Sequence, residues 1–298
     1  MNSQPPGSIR KFIRIPGRVQ RAPQRCRRVA RALVSDPIET LLYAPEVLIR
    51  QLDRSVAYDV EEDWGSAFHR LIGLPWPCPE LEGFQRVWAE IGTELTAKGL
   101  AFGRYTYGEY SDADAGLAGA AWCAVRHLRP TTVVETGVAR GVTSRVILEA
   151  LSANVEGHLW SIDLPHPFAP ELHHETASAV PGGRHDRWTY VRGSSRRRLP
   201  ALLAQLVEID LFVHDSLHTA RNMRFEMNSA WAALRIGGVM LVDDVYNQSF
   251  RQFVGTAHPT ESMVCRSADG TWMFGAARKG IDLSERTHPA RPTEAPHL

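Results

Sequence analysis

The chain has 298 residues, of which 44% are hydrophobic and 22% are charged, and its formal net charge is +1. These fractions are close to globular averages and exclude wholesale disorder, collagen and coiled coil. Outside the tail the longest uncharged stretch is too short to cross a bilayer, so no transmembrane helix is expected. The cysteines (Cys26, Cys78, Cys123 and Cys265) lie far apart without a C-x-x-C pair. This spacing is typical of a reducing cytoplasm and predicts neither a zinc knuckle nor a disulfide framework.

The first 35 residues are strongly basic, with nine Lys and Arg and no acidic residue. A run of like charges is usually a solvated, poorly ordered arm, and we expect residues 1–35 to be flexible. The same charge would also attract an anionic membrane, a nucleic acid or an acidic partner. The arm has no continuous apolar segment and is therefore not a secretory signal. Peripheral membrane contact is the alternative that we retain.

Residues 36–128 are predicted to form a helical region. Asp36 and Pro37 are suited to the N-cap and the first position of a helix that continues along IETLLYAPEVLIRQL. The proline-rich segment LPWPCPE (74–80) interrupts regular structure. The small-residue segment DADAGLAGAAWCAVRHL (112–128) predicts a helix that leads into the next region.

Residues 129–279 are predicted to form an α/β domain. Short apolar runs at 131–136, 158–163, 188–193, 209–215 and 238–245 alternate with helical segments, which predicts a parallel sheet covered on both faces. Two further runs at 261–267 and 271–279 flank the turn ADG and predict an antiparallel hairpin. We therefore expect a Rossmann-like, doubly wound, mostly parallel seven-stranded sheet with a terminal antiparallel hairpin. The proline-containing tail, residues 280–298, is expected to be flexible.

A glycine loop follows the first predicted strand. Gly137 and Gly141 allow the backbone to turn sharply at the edge of the sheet where α/β proteins bind ligands, and Asp163 ends the second strand, where it can bind a ribose. A nicotinamide dinucleotide would also fit these features. The spacing is G-x-x-x-G rather than G-x-G-x-x-G, however, and Glu135 would repel a pyrophosphate while it could hold a cationic amine.

These residues resemble the class I S-adenosylmethionine-dependent methyltransferases, especially the small-molecule O-methyltransferases of the catechol type and the metal-dependent sugar O-methyltransferases. The resemblance covers residues 105–278, and the motif E-x-G-x-x-x-G-x-[S/T] is complete here. Ala139 departs from the family, which often has Gly or an aromatic residue at this position. The resemblance implies that the loop binds the methionine moiety, that the second-strand carboxylate binds ribose and that the turn after the third strand contacts adenine. The implied contacts are Glu135, Gly137, Ala139, Gly141, Thr143, Ser144, Asp163 and Ser195.

Three aspartates end the fourth and fifth predicted strands. Neighbouring strand ends lie about 5 Å apart, so Asp215, Asp243 and Asp244 should converge at the ligand-binding edge. Carboxylates this close repel unless a cation lies among them, and an oxygen donor set suits Mg²⁺ or Mn²⁺. Consecutive residues of a strand point to opposite faces, so one of the pair 243–244 could act indirectly. The alternative is that Asp215 caps the following helix, with Arg221 and Arg224 neutralising the carboxylates.

The segment HDSLH (214–218) contains two histidines with different expected roles. A zinc protease motif would have to lie within a helix, whereas His214 lies in a strand, which favours a core histidine. In the resembling families a basic residue at D-x-x-[K/H] deprotonates the acceptor hydroxyl, and His218 occupies this position. An exposed histidine at the start of a helix is the alternative interpretation.

The sequence thus predicts methyl transfer from S-adenosylmethionine to a small-molecule hydroxyl, assisted by Mg²⁺ or Mn²⁺ and by His218 as base. By analogy we expect a sugar or glycosylated natural product as acceptor, and a cytoplasmic enzyme that forms homo-oligomers. Two alternatives remain open: a metal-dependent hydroxylase similar to cephalosporin hydroxylases, and a methyltransferase of lipid-linked glycans at the membrane surface. Specific nucleic-acid binding is not expected, because HDSLH replaces the N-P-P-[Y/F] type of turn of base-methylating relatives.

Overall fold

The computed structural model describes residues 36–280 apart from short gaps at 50–51, 109–110, 113, 166–168, 269 and 271, together with Ala30 and Val34. The predicted arm (1–35) and tail (280–298) therefore lie almost wholly outside the described residues. Within the described part, no helix combines the length and the apolar character needed to span a membrane.

Between residue 36 and the sheet the structure describes the helices α1 (Pro37–Ile49), α2 (Trp64–Ile72), α3 (Leu81–Ala97) and α4 (Ala115–Leu128). Helix α1 begins at Pro37, as predicted, and the carboxylate of Asp36 accepts a hydrogen bond from the N–H of Glu39. The carboxylate of Asp114 caps α4 by accepting from the N–H groups of Gly116 and Leu117. Such caps satisfy backbone donors that have no partner within the helix, and each stabilises it by about 1 kcal/mol.

The seven strands are β1 (Thr132–Thr136), β2 (His158–Asp163), β3 (Trp188–Arg192), β4 (Ile209–His214), β5 (Leu234–Val242), β6 (Glu261–Arg266) and β7 (Met273–Arg278). They form one sheet in the order β3-β2-β1-β4-β5-β7-β6. The first five strands are parallel, and β7 pairs antiparallel with both β5 and β6. The predicted sheet and its terminal hairpin are confirmed.

Three helices connect parallel strands, namely α5 (Val142–Asn154), α6 (Ser195–Leu206) and α7 (Ala220–Ala233), and α8 (Ser249–Ala257) links β5 to the terminal hairpin. The register sets the ends of the central strands side by side, because Thr136 pairs with Ile162 on one side and with His214 on the other. His214 in turn pairs with Val242. The residues that follow these strands therefore meet at one edge of the sheet, and the predicted site residues lie there.

The sheet separates two apolar layers. On one face, Phe68 of α2, Ile91 of α3 and Leu117 of α4 pack in the same cluster as Val133 and Leu211 of the sheet. Each of these side chains is almost fully buried, which contributes about 1.5–3 kcal/mol apiece to folding. The helices before residue 129 thus share a core with the sheet, while the boundary at 128–129 remains a prediction from the sequence pattern.

Candidate active site

The glycine loop turns through three residues with left-handed backbone. Gly137 (φ 88°), Ala139 (φ 47°) and Gly141 (φ 79°) all have positive φ. Asp163 holds the loop, because its Oδ1 accepts a hydrogen bond from the N–H of Val138 at 3.3 Å. Ala139 keeps the conformation that glycine adopts freely, at a cost of about 1–2 kcal/mol for an L-residue. Although Ala139 departs from the family pattern, the loop still has the left-handed turn that a glycine would form.

Glu135 lies fully buried at the end of β1 with half of its carboxylate satisfied. Its Oε2 accepts hydrogen bonds from Ser144 Oγ at 2.6 Å and from Ser161 Oγ at 2.7 Å. Its Oε1 has no hydrogen-bond partner among the described residues. Burial raises the pKa of Glu135 to about 7, although both serine hydroxyls lower it. A buried carboxylate oxygen without a partner is suited to a cationic group of a ligand.

Two tyrosines that the sequence patterns did not single out lie near Asp163. The hydroxyl of Tyr190 donates to Asp163 Oδ2 at 3.3 Å. Burial raises the pKa of Asp163, while its hydrogen bonds with Val138 and Tyr190 oppose the shift. Burial also raises the pKa of Tyr107, with a further increase from the nearby Asp163 charge. Both phenols therefore remain protonated donors beside the carboxylate that is predicted to bind ribose.

Arg140 ties the glycine loop to the segment before it. This buried guanidinium donates from Nη1 to Asp112 Oδ1 at 3.0 Å and from Nε to Glu175 Oε2 at 2.7 Å. It also donates to the backbone carbonyls of Ala101 and Thr106, each at 2.6 Å. The loop is thereby fixed against residues 101–112. No sequence pattern indicates this role, because Arg140 stands at an unassigned position within the motif.

The remaining predicted cofactor contacts have different surroundings. Ser144 is used by Glu135, as described above. Thr143 is buried, and within the described residues its hydroxyl has no hydrogen-bond partner. The hydroxyl of Ser195, at the start of α6, lies instead within hydrogen-bond reach of Glu226. Its contact with adenine remains a prediction.

The acidic cluster forms as predicted, with His218 inside it. His218 Nε2 lies 3.8 Å from Asp215 Oδ1 and 3.6 Å from Asp243 Oδ2. Donor atoms of these residues all lie within 4.8 Å of one another. Burial and then the neighbouring carboxylates raise the pKa of Asp215 and of Asp243 well above the usual range. A divalent cation would relieve this repulsion, so the donor set fits Mg²⁺ or Mn²⁺.

Asp244 faces the other ring nitrogen of His218. Its Oδ2 lies 3.3 Å from His218 Nδ1, and its backbone has a φ of 49°. This left-handed turn replaces the strand alternation, so that Asp243 and Asp244 approach the same imidazole from two sides. The hydroxyl of Tyr246 also donates to the backbone carbonyl of His218 at 2.7 Å. Asp244 is thus placed to orient His218, rather than beside the donor atoms of Asp215 and Asp243.

The capping alternative does not match the structure. Thr219 caps α7, because its hydroxyl accepts from the N–H of Asn222 at 3.1 Å. Arg221 lies 3.5 Å from Glu46 of α1, and Arg224 contacts Gln252. Within the described part of the chain, neither arginine forms an ion pair with an aspartate of the cluster. Asp215 is therefore available to the site.

His214 is a buried core histidine, as predicted, and its partner is Glu226 of α7. His214 Nδ1 lies 2.6 Å from Glu226 Oε2, while Oε1 accepts from Ser216 Oγ at 2.7 Å and from Asn222 Nδ2 at 2.8 Å. Burial disfavours the ionised glutamate, but His214 and these donors lower the pKa of Glu226 to about 2. The ring of His214 packs edge-on against His218, 5.4 Å between centroids. The buried His214–Glu226 pair therefore packs against the imidazole of His218.

Known proteins resemble this chain in part of its sequence and in its structure. Residues 134–245 match the family model of a methyltransferase domain, whereas no curated protein matches the chain. A candidate O-methyltransferase from Klebsiella pneumoniae is 18% identical, covers 73% of this chain and 98% of its own, and has a TM-score of 0.49. An O-methyltransferase from Bacillus cereus in complex with SAH is 15% identical (72% and 98% covered, TM-score 0.46). The O-methyltransferase TomG from Streptomyces achromogenes, involved in tomaymycin synthesis and solved with SAM, is 16% identical (73% and 97% covered, TM-score 0.45).

The segment that matches the family model begins within β1 and ends just after β5. It therefore contains the glycine loop, Asp163, His218 and the three aspartates. The sheet around it is the mostly parallel seven-stranded sheet with a terminal antiparallel hairpin that the sequence predicts. Residues 134–245 thus match a methyltransferase domain, in agreement with the resemblance found in the sequence motif.

Proposed function

We propose that this enzyme transfers the methyl group of S-adenosylmethionine to a hydroxyl of a small molecule, assisted by a divalent cation. The observation that carries the proposal is the position of His218, with carboxylates 3.3–3.8 Å from its two ring nitrogens. This imidazole lies at the same sheet edge as the glycine loop. A base, a cation site and a cofactor loop therefore adjoin one another.

Residues around the glycine loop would hold the cofactor, which supplies an electrophilic methyl group. The unpartnered Oε1 of Glu135 suits the ammonium of the methionine moiety. Asp163 suits the ribose hydroxyls, with Tyr190 hydrogen-bonded to it. The left-handed turns at Gly137 and Gly141 keep side chains away from the ligand.

The acidic cluster would prepare the acceptor. Asp215 and Asp243 would hold the cation, which lowers the pKa of a hydroxyl that it binds. His218 accepts the proton of that hydroxyl, and the carboxylates around its ring stabilise the charge that it then carries. Asp244 and the carbonyl-bound Tyr246 fix the ring and the loop that carries it. A sugar or glycosylated natural product remains our proposed acceptor, since polyols offer the adjacent oxygens that such a cation binds.

Calorimetry tests the cofactor. We expect S-adenosylmethionine to bind at micromolar affinity, about −8 kcal/mol. Asp163→Ala should weaken this binding, whereas Glu90→Gln on the exposed side of α3 should not. Tighter binding of a nicotinamide dinucleotide would overturn the assignment of the loop.

Turnover with a panel of polyol and phenol acceptors tests the cation and the base. Chelation should abolish methyl transfer but leave cofactor binding intact, and Mg²⁺ or Mn²⁺ should restore it. His218→Ala should lower the rate by roughly 10²–10⁴, the usual contribution of a general base, without changing the metal concentration needed. Asp243→Asn should raise that concentration. Full activity in excess chelator would exclude the metal, and a raised metal requirement in His218→Ala would make His218 a ligand instead of a base.

A metal-dependent hydroxylase is the second candidate, because one histidine with two carboxylates is also a donor set for Fe²⁺. Iron-dependent oxygen consumption without methyl transfer would support it. Methyl transfer with Mg²⁺ under anaerobic conditions would exclude it.

We also propose that the basic arm contacts anionic membranes, as a methyltransferase of lipid-linked glycans would require. Exposed apolar side chains lie at the end of the arm and directly after it: Val34 is 87% exposed, Ile38 53% and Leu41 65%. Co-sedimentation with phosphatidylserine vesicles should fall with added salt and vanish when residues 1–35 are removed. Salt-independent binding would contradict the electrostatic interpretation.

A further inference from the structure

A second cluster of metal-binding side chains lies outside the active site. His69 of α2, Cys78 of the following loop and Cys123 of α4 place their donor atoms within 4.8 Å of one another, and all three are buried. His127, one helical turn after Cys123, lies with its Nε2 3.1 Å from Cys78 Sγ. The two sulfur atoms are 3.7 Å apart. Two thiols and one imidazole therefore converge, and a second imidazole adjoins them at Cys78.

The distances agree with a tetrahedral site. With Zn–S bonds of about 2.3 Å and Zn–N bonds of about 2.0 Å, two sulfur ligands stand about 3.8 Å apart and a sulfur and a nitrogen about 3.5 Å apart. The 3.7 Å separation of the two sulfur atoms matches the expected sulfur–sulfur distance. The 3.1 Å separation of Cys78 Sγ and His127 Nε2 is shorter than the expected sulfur–nitrogen distance, so the His127 ring would move slightly outward on binding.

The tautomer of His69 provides an independent observation. Its Nδ1 lies 2.9 Å from the backbone carbonyl oxygen of Gly65, which can only accept a hydrogen bond. Nδ1 therefore carries the hydrogen, and Nε2 presents a lone pair. This Nε2 is buried, on a side chain only 1% exposed, and has no hydrogen-bond partner among the described residues. A metal-binding histidine characteristically has this arrangement, with the second nitrogen bonded to a carbonyl group.

We propose that His69, Cys78, Cys123 and His127 bind one zinc ion. The two cysteines bind as thiolates and release their protons to solvent, so that the zinc charge is neutralised by its own ligands. All four positions of the tetrahedron come from the protein, which is typical of structural rather than catalytic zinc. The ion would join α2 and the proline-rich loop to α4, close to the start of β1 and at the opposite edge of the sheet from the glycine loop.

Metal analysis tests the proposal. Protein expressed with zinc and purified under reducing conditions without chelator should contain about one zinc per chain by mass spectrometry. The double variant Cys78→Ser/Cys123→Ser should lose it, by about tenfold or more. Cys265→Ser is the matched control, because Cys265 is equally buried but lies beside Met263, and it should retain the zinc. Asp215→Asn, in the acidic cluster, should retain it as well.

Spectroscopy of the wild-type protein tests the zinc site without relying on variants that could fail to fold. Protein produced with cobalt in place of zinc should show a thiolate-to-cobalt charge-transfer band and intense visible bands typical of tetrahedral Co²⁺. His69→Gln should shift the visible bands. Zinc-free wild-type protein that gives no thiolate–cobalt band would overturn the proposal, as would zinc retained in the double cysteine variant or a Cys78–Cys123 disulfide in freshly purified protein.

Discussion

A β-carbon on Gly137 would stand 1.9 Å from the backbone carbonyl oxygen of Asp215. The glycine loop and the first residue of the acidic cluster therefore touch through their backbones. The contact leaves no room for a side chain, and the φ of 88° at Gly137 also disfavours one.

Gly137→Ala should consequently damage both parts of the site. We expect a loss of about 1–3 kcal/mol in stability from backbone strain, together with weaker binding of S-adenosylmethionine. Gly255→Ala in α8 is the control, since a β-carbon there meets nothing within 4 Å, and it should leave stability unchanged or slightly higher. Thermal unfolding and calorimetry measure the two effects. A Gly137→Ala protein as stable as wild type would show that the two loops can separate freely.

Arg140→Gln should cost far more stability than the loss of a surface arginine. Removal of one partner of a buried ion pair typically costs about 3–5 kcal/mol of stability. In Arg140→Gln this cost arises because the carboxylates of Asp112 and Glu175 would lose their cation. Arg70→Gln, whose pair with Glu61 is largely exposed, should cost less than about 1 kcal/mol. Chemical denaturation of the two variants gives the comparison. Equal losses would mean that the described network around Arg140 contributes little.

Glu226→Gln should destabilise the protein at neutral pH and less so in acid. The folded-state pKa of Glu226, about 2, lies below its ordinary value of 4.5. The ionised group therefore contributes stability on the order of 3 kcal/mol above about pH 4.5, and this contribution is lost as the pH falls from there towards 2. Unfolding measured between pH 7 and pH 3 should show the gap between variant and wild type narrowing. The exposed Glu90→Gln serves as control, and a constant gap would contradict the assignment.

Cofactor binding should release a proton from Glu135. The raised pKa of about 7 means that about half of the free protein carries this proton at neutral pH. A bound ammonium group favours the ionised form, so protons should be released around and below pH 7 and not well above it. Calorimetry in buffers of different ionisation enthalpy measures the number released. In Glu135→Gln any proton from Asp163 would still be released, whereas the proton from Glu135 would not. Proton release that is unchanged in this variant would show that the proton comes from another group.

Local patterns predicted the fold well, because strand and helix periodicity are properties of neighbouring residues. The predicted strand over 158–163 coincides with β2, and α1 begins at the predicted Pro37. The fifth strand begins earlier than predicted, at Leu234, since it continues directly from the end of α7.

The site was only partly predictable. The motif pointed to Glu135 and Asp163, and the strand ends to the aspartates, because the ends of parallel strands meet at one edge. The left-handed backbone of Asp244 has only a weak sequence signature, because aspartate adopts it more often than most residues but much less often than glycine. Glu226 left a weak signal, as a carboxylate on the buried stripe formed by Met223, Met227 and Ala230 of α7. The approach of Cys78 to Cys123 joins residues 45 positions apart and depends on how α4 packs beside the loop.

The anchoring of Arg140 bears on how this protein could be recombined with others. A chimera that exchanged the helices before residue 129 for those of another protein of the same fold would have to recreate Asp112 and the carbonyl groups of Ala101 and Thr106. Without them, the guanidinium within the glycine loop would keep only Glu175 of these partners. The glycine loop and the segment before residue 129 can therefore change in sequence only in ways that keep the partners of Arg140. A chimera would have to take both from the same parent protein.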